Sequence, residues 1–279
     1  MDTRSLRRCT DLLGALRLAS PAGRQSAGTL RKLRQIEGML PWLLGPIRQS
    51  AALPPTIIEF GCGKGCLSFF LAAALRGLGI APVRILGVDR NLDLMSRCMQ
   101  ARSTLGWDEV NFTAATCEEF AIPAPPLLVT SLHACDVVTD HVLAAGIHFA
   151  AENIVAAPCC QSTVQRSLRH NAHDHQWGYV ARSFPLLGSR FSEFVTEAMR
   201  CLALRASGYE VRVREFVSST ATPKNVVIVA RRAGLRGERA MDELRRLQAT
   251  LGLKCEVLAS LARRHAAAAR PEPARRKEG

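Results

Sequence analysis

The sequence predicts an α/β fold of the doubly wound type, in which a largely parallel seven-stranded sheet is covered by helices on both faces. Short apolar runs typical of strands alternate with segments of helical spacing between residues 56 and 230. The first run leads into a glycine-rich turn, and the second ends on an aspartate. Such alternation indicates parallel strands joined by crossover helices.

Each element follows from this periodicity, taken in chain order. The predicted strands cover residues 56–60, 83–88, 110–115, 127–132, 153–157, 210–217 and 225–230. The predicted helices between them cover residues 66–76, 91–105, 139–151 and 193–207. The last two strands have no helix between them, so we expect them to pair antiparallel.

Both ends of the chain are predicted to be helical appendages. Helical spacing covers residues 1–18, 30–44 and 234–266, and an Ala/Pro/Arg-rich tail follows. We therefore expect a basic N-terminal extension over residues 1–50, the α/β domain over 51–232 and a basic, partly disordered C-terminal tail over 233–279. No apolar run approaches the roughly 20 residues that span a bilayer. The N-terminus lacks the features of a signal peptide, an organelle transit peptide being the alternative.

Basic residues are concentrated in these two flanks. Of the formal net charge of +13, residues 1–50 contribute nine Lys/Arg against three Asp/Glu, and residues 231–279 contribute thirteen against six. The centre carries fifteen of each and is neutral. Basic flanks favour a long polyanion such as RNA, which binds through counterion release. The alternative is a solvated surface that maintains solubility.

The spacing of the cysteines indicates the redox environment of the protein. The ten cysteines lack the regular spacing of a disulfide scaffold, and several fall in predicted buried strands. Free thiols in a reducing environment are the simplest interpretation, which predicts a cytoplasmic protein.

The sharpest motif is E-F-G-C-G-K-G at residues 59–65, between the first strand and the first helix. Glycines there let the backbone turn tightly and approach a ligand. Asp89 ends the second strand, 24 residues after Gly65, where a carboxylate can accept hydrogen bonds from both ribose hydroxyls. A dinucleotide and S-adenosylmethionine (SAM) both fit this arrangement. The alternative is a plain turn, with Asp89 capping the next helix.

The spacing G-x-G-x-G, preceded by an acid, resembles the glycine loop of the class I SAM-dependent methyltransferases. A dinucleotide fingerprint would instead be G-x-G-x-x-G. The resemblance implies a Rossmann-like methyltransferase sheet with SAM as cofactor and Asp89 on the ribose. Glu118, at the end of the third strand, is a candidate acceptor for the adenine amino group, or else a solvated carboxylate at a helix start. Four residues are implied beside the methionine part: Glu59, Gly61, Gly63 and Gly65.

Two further strand ends carry motifs of one branch of this family. The fourth strand ends in L-H-A-C-D-x-x-T-D at residues 132–140 and the fifth in P-C-C-Q at 158–161, while T-P-K-N occupies 222–225. Over roughly residues 30–230 the chain resembles a mostly bacterial branch of methyltransferases whose distant eukaryotic relatives include a tRNA 2′-O-methyltransferase. Ala221 stands where that branch usually has a histidine.

Two mechanisms fit these residues. In direct transfer, His133 or Asp136 removes or orients the proton of the acceptor, and the domain supplies alignment. In the covalent alternative, the thiol of Cys135, Cys159 or Cys160 attacks C6 of a pyrimidine. Each cysteine could equally be a small buried apolar residue. We expect direct transfer, with these candidate catalytic residues: His133, Asp136, Cys159 and Cys160.

The stretch after residue 161 is expected to be a polar loop over the active site, without a metal. Zinc is the alternative, because four polar residues cluster near Cys159 and Cys160: His170, His173, Asp174 and His175. Their spacing matches no ordinary zinc finger. Arginines and phenylalanines of the same stretch suit a lid that contacts phosphates and stacks a base. They are Arg166, Arg169, Arg182, Arg190, Phe184 and Phe191.

The function predicted from sequence is direct, SAM-dependent methylation of ribosomal or transfer RNA. One alternative keeps the cofactor and methylates a protein or a small molecule. Another is a catalytically silent protein of this fold that binds RNA or scaffolds a partner. The sequence predicts no oligomeric state.

Overall fold

The structure, a computed structural model, describes residues 10–18, 24–51, 54–170, 176–234 and 236–268. Its strands are β1 (Thr56–Phe60), β2 (Arg84–Asp89), β3 (Val110–Ala114), β4 (Leu128–Leu132), β5 (Asn153–Ala157), β6 (Tyr209–Glu215) and β7 (Val226–Arg232). Its helices are α1 (Thr10–Ala15), α2 (Ala27–Gln49), α3 (Cys66–Gly77), α4 (Leu92–Leu105), α5 (Val137–His148), α6 (Ser162–His170), α7 (Gln176–Ser183), α8 (Pro185–Ala206), α9 (Glu238–Leu251) and α10 (Glu256–Ala268).

All seven strands form one sheet in the order β3-β2-β1-β4-β5-β7-β6. β1 pairs parallel with both β2 and β4, and the parallel pairing continues outward to β3 and β5. β7 runs antiparallel to β5 and β6. The predicted doubly wound sheet and its antiparallel final pair are therefore confirmed. The carboxyl ends of β1 to β5 share one edge, and the strand order reverses between β1 and β4.

The sheet is buried on both faces because successive strand residues point to opposite sides. In β1, Ile57 packs into the core beneath α2, α3 and α4, while Ile58 packs into the core beneath α5, α8, α9 and α10. Both side chains are fully buried. The helix-covered strands therefore read as continuous apolar runs, as expected for a two-sided sheet.

Helix α2 belongs to the core of the domain. The predicted helix over residues 30–44 lies inside a longer one, which continues past Pro41 and Pro46. Leu33, Ile36 and Leu40 on its apolar face are 2%, 0% and 0% exposed. Part of the predicted N-terminal extension thus packs directly against the sheet layer. The division at residues 50 and 232 stays a prediction.

The segment between β5 and β6 differs from the sequence-based prediction. The polar loop predicted after residue 161 is wrong for the described residues, which form the helices α6 and α7 instead. Helix α8 also begins earlier than predicted, at Pro185 rather than at residue 193. Leu168 is the buried residue of α6, so the apolar repeat was too sparse to reveal the helix. α7 packs closely on α8 at Gly188, where a Cβ would lie 2.3 Å from the carbonyl oxygen of Ala181.

None of the described helices combines the length and the apolar character needed to cross a membrane.

We predict that Gly38→Ala destabilises the fold. A Cβ at this position of α2 would lie 2.2 Å from the backbone carbonyl oxygen of Phe216, just after β6. Backbone atoms on both sides leave no flexible group to yield, so we expect a loss of about 1–3 kcal/mol of unfolding free energy. Urea unfolding followed by circular dichroism measures it.

Gly28→Ala is the matched control on the same helix. Its Cβ would meet only Ser26 Oγ, at 3.7 Å, so the change should leave stability equal or raise it by up to about 1 kcal/mol. Equal stability of the two variants would contradict the close approach at Gly38.

Candidate functional site

The glycine turn opens the site at the carboxyl end of β1. Gly61, Gly63 and Gly65 have φ values of 65°, 54° and 66°, a left-handed conformation that L side chains rarely adopt. A Cβ at Gly63 would meet nothing within 4 Å, whereas one at Gly65 would lie 2.7 Å from the ring of Phe112. The first position therefore faces open space suited to a ligand, and the second is needed for packing.

Asp89 lies beside this turn at the end of β2. Its carboxylate accepts hydrogen bonds from the backbone N–H groups of Gly63 and Asn91, each at 3.0 Å. Two bonds leave further lone pairs of the carboxylate available to the hydroxyls of a ribose. The cap of α4 is Asn91, whose side chain accepts from the N–H of Leu94 at 3.0 Å. Capping therefore does not account for Asp89.

Glu59 is buried rather than displayed in the crevice. Its side chain accepts hydrogen bonds from both the backbone N–H and the hydroxyl of Ser68 in the first turn of α3. Burial raises the pKa of Glu59 to about 7, although the bonds from Ser68 act in the opposite direction. The structure places this acid as an anchor between β1 and α3, and its predicted contact with cofactor stays a prediction.

Glu118 lies in the loop after β3, and its side chain contacts helix α5. Its carboxylate lies 2.7 Å from Nδ1 of His141 in α5, and Nε2 of the same ring lies 3.3 Å from Glu256 in α10. This chain of contacts connects the loop after β3 to the C-terminal helix. A bond from Glu118 to the adenine amino group would have to share the carboxylate with His141, and it stays a prediction.

His133, directly after β4, has a left-handed φ of 62°. Its Nε2 lies 3.0 Å from Oε1 of Gln35 in α2, while its Nδ1 is shielded from solvent without a partner among the described residues. Because the amide oxygen of Gln35 only accepts, Nε2 carries the proton and Nδ1 the lone pair. Burial lowers the pKa of His133, and the charge of Lys32 acts in the same direction.

Asp136 is occupied by the start of α6. Its carboxylate accepts from the hydroxyl of Ser162 at 2.6 Å and from the backbone N–H and hydroxyl of Thr163 at 3.1 and 2.7 Å. Burial alone would raise the pKa of Asp136, but these bonds outweigh it and hold the pKa below its ordinary value. The geometry favours a capping role over proton removal.

Arg200 in α8 is a residue that sequence analysis missed. Its guanidinium binds both carboxylate oxygens of Asp140, at 3.0 and 2.9 Å, and donates to the carbonyl oxygen of Asp136 at 2.8 Å. The side chain is 1% exposed. Its position among the buried residues Thr196, Met199 and Ala203 of the same helix was the available signal. Arg200 thus anchors the L-H-A-C-D-x-x-T-D segment to helix α8.

The P-C-C-Q and T-P-K-N motifs meet at the same edge. Lys224 Nζ lies 3.4 Å from Oε1 of the buried Gln161 and 2.6 Å from the carboxylate of Glu193 in α8. Ala221, which stands in place of the usual histidine, is buried at 7% exposure. The two motifs therefore form one surface, although residues 162–221 separate them in the chain.

The three cysteines of the strand ends lie together. Cys135 Sγ is 3.2 Å from Cys159 Sγ, which is 3.5 Å from Cys160 Sγ. Burial raises the pKa of both Cys135 and Cys159, so neither thiol is activated as a nucleophile for the covalent route. Of the histidines considered for zinc, His170 is exposed and outside this group, and residues 171–175 lie outside the described residues.

Comparison with known proteins supports the class of this site. Residues 31–167 match a family model described as a methyltransferase domain. The match includes the glycine turn, Asp89 and the motifs at 132–140 and 158–161. The match agrees with the predicted enzyme class, a methyltransferase that uses SAM. A search of curated protein sequences finds no match.

Several solved methyltransferases are similar in structure. Magnesium protoporphyrin IX methyltransferase from Synechocystis, with bound SAH, is 15% identical over 84% of this chain and 100% of its own, with a TM-score of 0.47. A SAH-bound methyltransferase from Podospora anserina is 14% identical over 82% and 92%, with a TM-score of 0.45. A ribosomal protein methylase from Lactobacillus delbrueckii is 8% identical over 71% and 79%, with a TM-score of 0.42. Structural similarity at this level does not indicate the substrate.

We predict that Asp89→Asn weakens binding of SAM and of its demethylated product by about 10–100-fold. The amide keeps an acceptor oxygen for Gly63 but loses the charge and the second acceptor that serves Asn91, and a hydrogen bond to a charged group contributes about 1.5–3 kcal/mol. Isothermal titration calorimetry measures the affinity. Asp93→Asn, on the exposed first turn of α4, is the control and should bind as the native chain does. Unchanged affinity in Asp89→Asn would place the ribose elsewhere.

Proposed function

We propose that this protein transfers a methyl group from SAM directly to RNA, ribosomal or transfer RNA. SAM lies along the glycine turn with its ribose on Asp89, and the acceptor approaches at the end of β4. The observation that carries the mechanism is the buried Nδ1 of His133 at that strand end, which has no hydrogen-bond partner in the part of the chain that the structure describes. The next residue, Ala134, borders the glycine turn, since its Cβ lies 3.8 Å from the position of a Cβ on Gly61.

His133 is the group that orients or removes the proton of the acceptor. Its bond to Gln35 fixes the ring and leaves the lone pair on Nδ1, as a hydrogen-bond acceptor or general base requires. Gln35 is a positioning residue, because it acts through the histidine. Asp136 is less suited to proton removal because it caps α6. Cys159 is less suited to nucleophilic attack because it holds its proton more firmly than an ordinary thiol.

We predict that His133→Ala lowers kcat by about 10²–10⁴-fold, the range of general acid–base catalysis, while the affinity for SAM stays within about threefold. Gln35→Ala should lower kcat less. The double variant should be no slower than His133→Ala alone, because Gln35 acts only through the ring. Single-turnover methyl transfer and calorimetry give the two quantities. Additive losses in the double variant would contradict the positioning role of Gln35.

The RNA assignment is supported by charge near the site as well as in the flanks. A cavity of about 870 Å³ opens next to the loop of Asp136, and Arg166, Arg169 and Lys254 line it. Lys254 lies between α9 and α10, so the basic C-terminal flank contributes to the same cavity as α6. Three carboxylates also line it, but each has a partner: Asp136 binds Thr163, Asp140 binds Arg200 and Glu256 binds Arg263. The cationic side chains suit phosphate groups.

Exposed rings lie close by in the chain. Trp177, Tyr179 and Phe184 are 44%, 62% and 55% exposed, and the ring of Trp177 stacks on Phe191 at 5.4 Å. Exposed rings interleaved with arginines are typical of surfaces that stack unpaired bases. We propose that α6, α7 and the start of α8 form the lid expected from sequence.

We predict that Arg166→Gln combined with Arg169→Gln weakens RNA binding and lowers the slope of log K against log salt by about one for each phosphate group that the variant no longer neutralises. Affinity for SAM should stay unchanged. The control is Arg212→Gln combined with Arg214→Gln on the edge strand β6, outside the basic flanks; it removes the same charge from exposed side chains and should leave the salt slope unchanged. Filter binding at several salt concentrations measures both.

Methyl transfer from radiolabelled SAM to RNA and protein fractions of cells lacking the enzyme tests the acceptor itself. Label in RNA is the expected result, and label confined to protein would overturn the RNA assignment. We also propose a cytoplasmic location, in keeping with free thiols at all nine cysteines of the described residues.

A further inference from the structure

Three thiols at the ends of β4 and β5 form what we call the thiol cluster, composed of Cys135, Cys159 and Cys160. We propose that the thiol cluster binds one zinc ion through three cysteine sulfurs and leaves the fourth coordination position open at the edge of the cofactor crevice. The proposal is independent of the RNA assignment, because it concerns a metal site rather than the acceptor.

The first argument is distance. The three sulfur atoms lie within 4.8 Å of one another, with separations of 3.2 and 3.5 Å along the two closer pairs. Zinc binds thiolate sulfur at about 2.3 Å in tetrahedral geometry, which places its sulfur ligands roughly 3.8 Å apart. Shifts of a few tenths of an ångström therefore suffice to accommodate the ion.

The second argument is the contrast with the other cysteines of the described chain. Five of the six other described thiols are buried at 1–7% exposure and belong to the two apolar cores: Cys62, Cys66, Cys98, Cys117 and Cys255. The sixth, Cys201, is half-buried and packs against one of these cores. They behave as small apolar side chains. Cys135 is exposed and Cys159 and Cys160 are half-buried, so an ion can reach the thiol cluster from solvent.

The third argument is the backbone that brings Cys135 to the cluster. His133 and Asp136 on either side of it have φ values of 62° and 52°, which is rare for residues other than glycine. This bend directs the sulfur of Cys135 towards the end of β5. Strained backbone that is held in place by surrounding contacts is characteristic of functional sites.

The ligand set also defines the kind of metal site. Three cysteines suit a thiophilic cation, and structural zinc sites are usually closed by a fourth protein ligand. The group of potential ligands found among the described residues contains only the three thiols. Cys159 Sγ lies 4.0 Å from the carbonyl oxygen of Ala134, beside the glycine turn. An exchangeable fourth position would thus face the region where the methyl acceptor enters.

The test uses the full chain, purified with a reductant, stripped with a chelator and titrated with Zn²⁺ against a chromophoric competitor. One zinc per chain is expected. Each of Cys135→Ser, Cys159→Ser and Cys160→Ser should weaken zinc binding by at least about 100-fold, because removing a ligand costs more than removing an outer-shell partner. Cys201→Ser, at a half-buried thiol on α8 outside the cluster, is the matched control and should bind zinc normally.

Two further measurements make the outcome decisive. Circular dichroism and SAM affinity show that each serine variant is folded. Co²⁺ substitution should give a thiolate-to-cobalt charge-transfer band that shifts when imidazole enters the open position. Zinc affinity unchanged in folded serine variants would overturn the metal site. A Cys135–Cys159 disulfide that mass spectrometry detects in the protein purified with a reductant would do the same. An imidazole-insensitive cobalt spectrum would overturn the open position.

Discussion

The position of β1 between β2 and β4 is the constraint on which the site depends. The chain moves outward from β1 to β2 and β3 on one side and returns to β4 and β5 on the other. Because these strands are parallel, their carboxyl ends meet at one edge, and the reversal of order leaves a crevice there. The glycine turn and Asp89 form one wall of this crevice. The L-H-A-C-D and P-C-C-Q motifs form the other.

The wall formed by the L-H-A-C-D and P-C-C-Q motifs is held in place by interactions with helices α6 and α8. The buried guanidinium of Arg200 pairs with the carboxylates of both Asp140 and Glu197, so removing Arg200 would leave buried carboxylates unpaired, a change that typically costs about 3–5 kcal/mol. The side chain of Thr139 donates to the carbonyl oxygen of Ala134, while Asp136 caps α6. Left-handed backbone at His133 and Asp136 costs of order 1–3 kcal/mol each, and these contacts outweigh it.

Helices from both flanks of the chain pack against the sheet domain. α2 buries an apolar face against the sheet layer and also supplies Gln35 to the ring of His133. At the other end, α10 packs against α5, and Glu256 shares His141 with Glu118. The flanks therefore combine basic surface with residues that contact His133 and Glu118.

The sequence alone determined those features that depend on neighbouring residues in the chain. Alternating apolar runs indicated the seven strands, and glycines that require positive φ indicated the turn beside Asp89, because strand periodicity and backbone sterics depend on neighbouring residues. The helices α6 and α7 escaped detection since their apolar repeats are short. Only the tertiary structure decided that Gln35 lies beside His133, 98 positions away, that Arg200 pairs with Asp140, and that three thiols from two strand ends meet. Such partners depend on how strands and helices pack, and no local pattern encodes that arrangement.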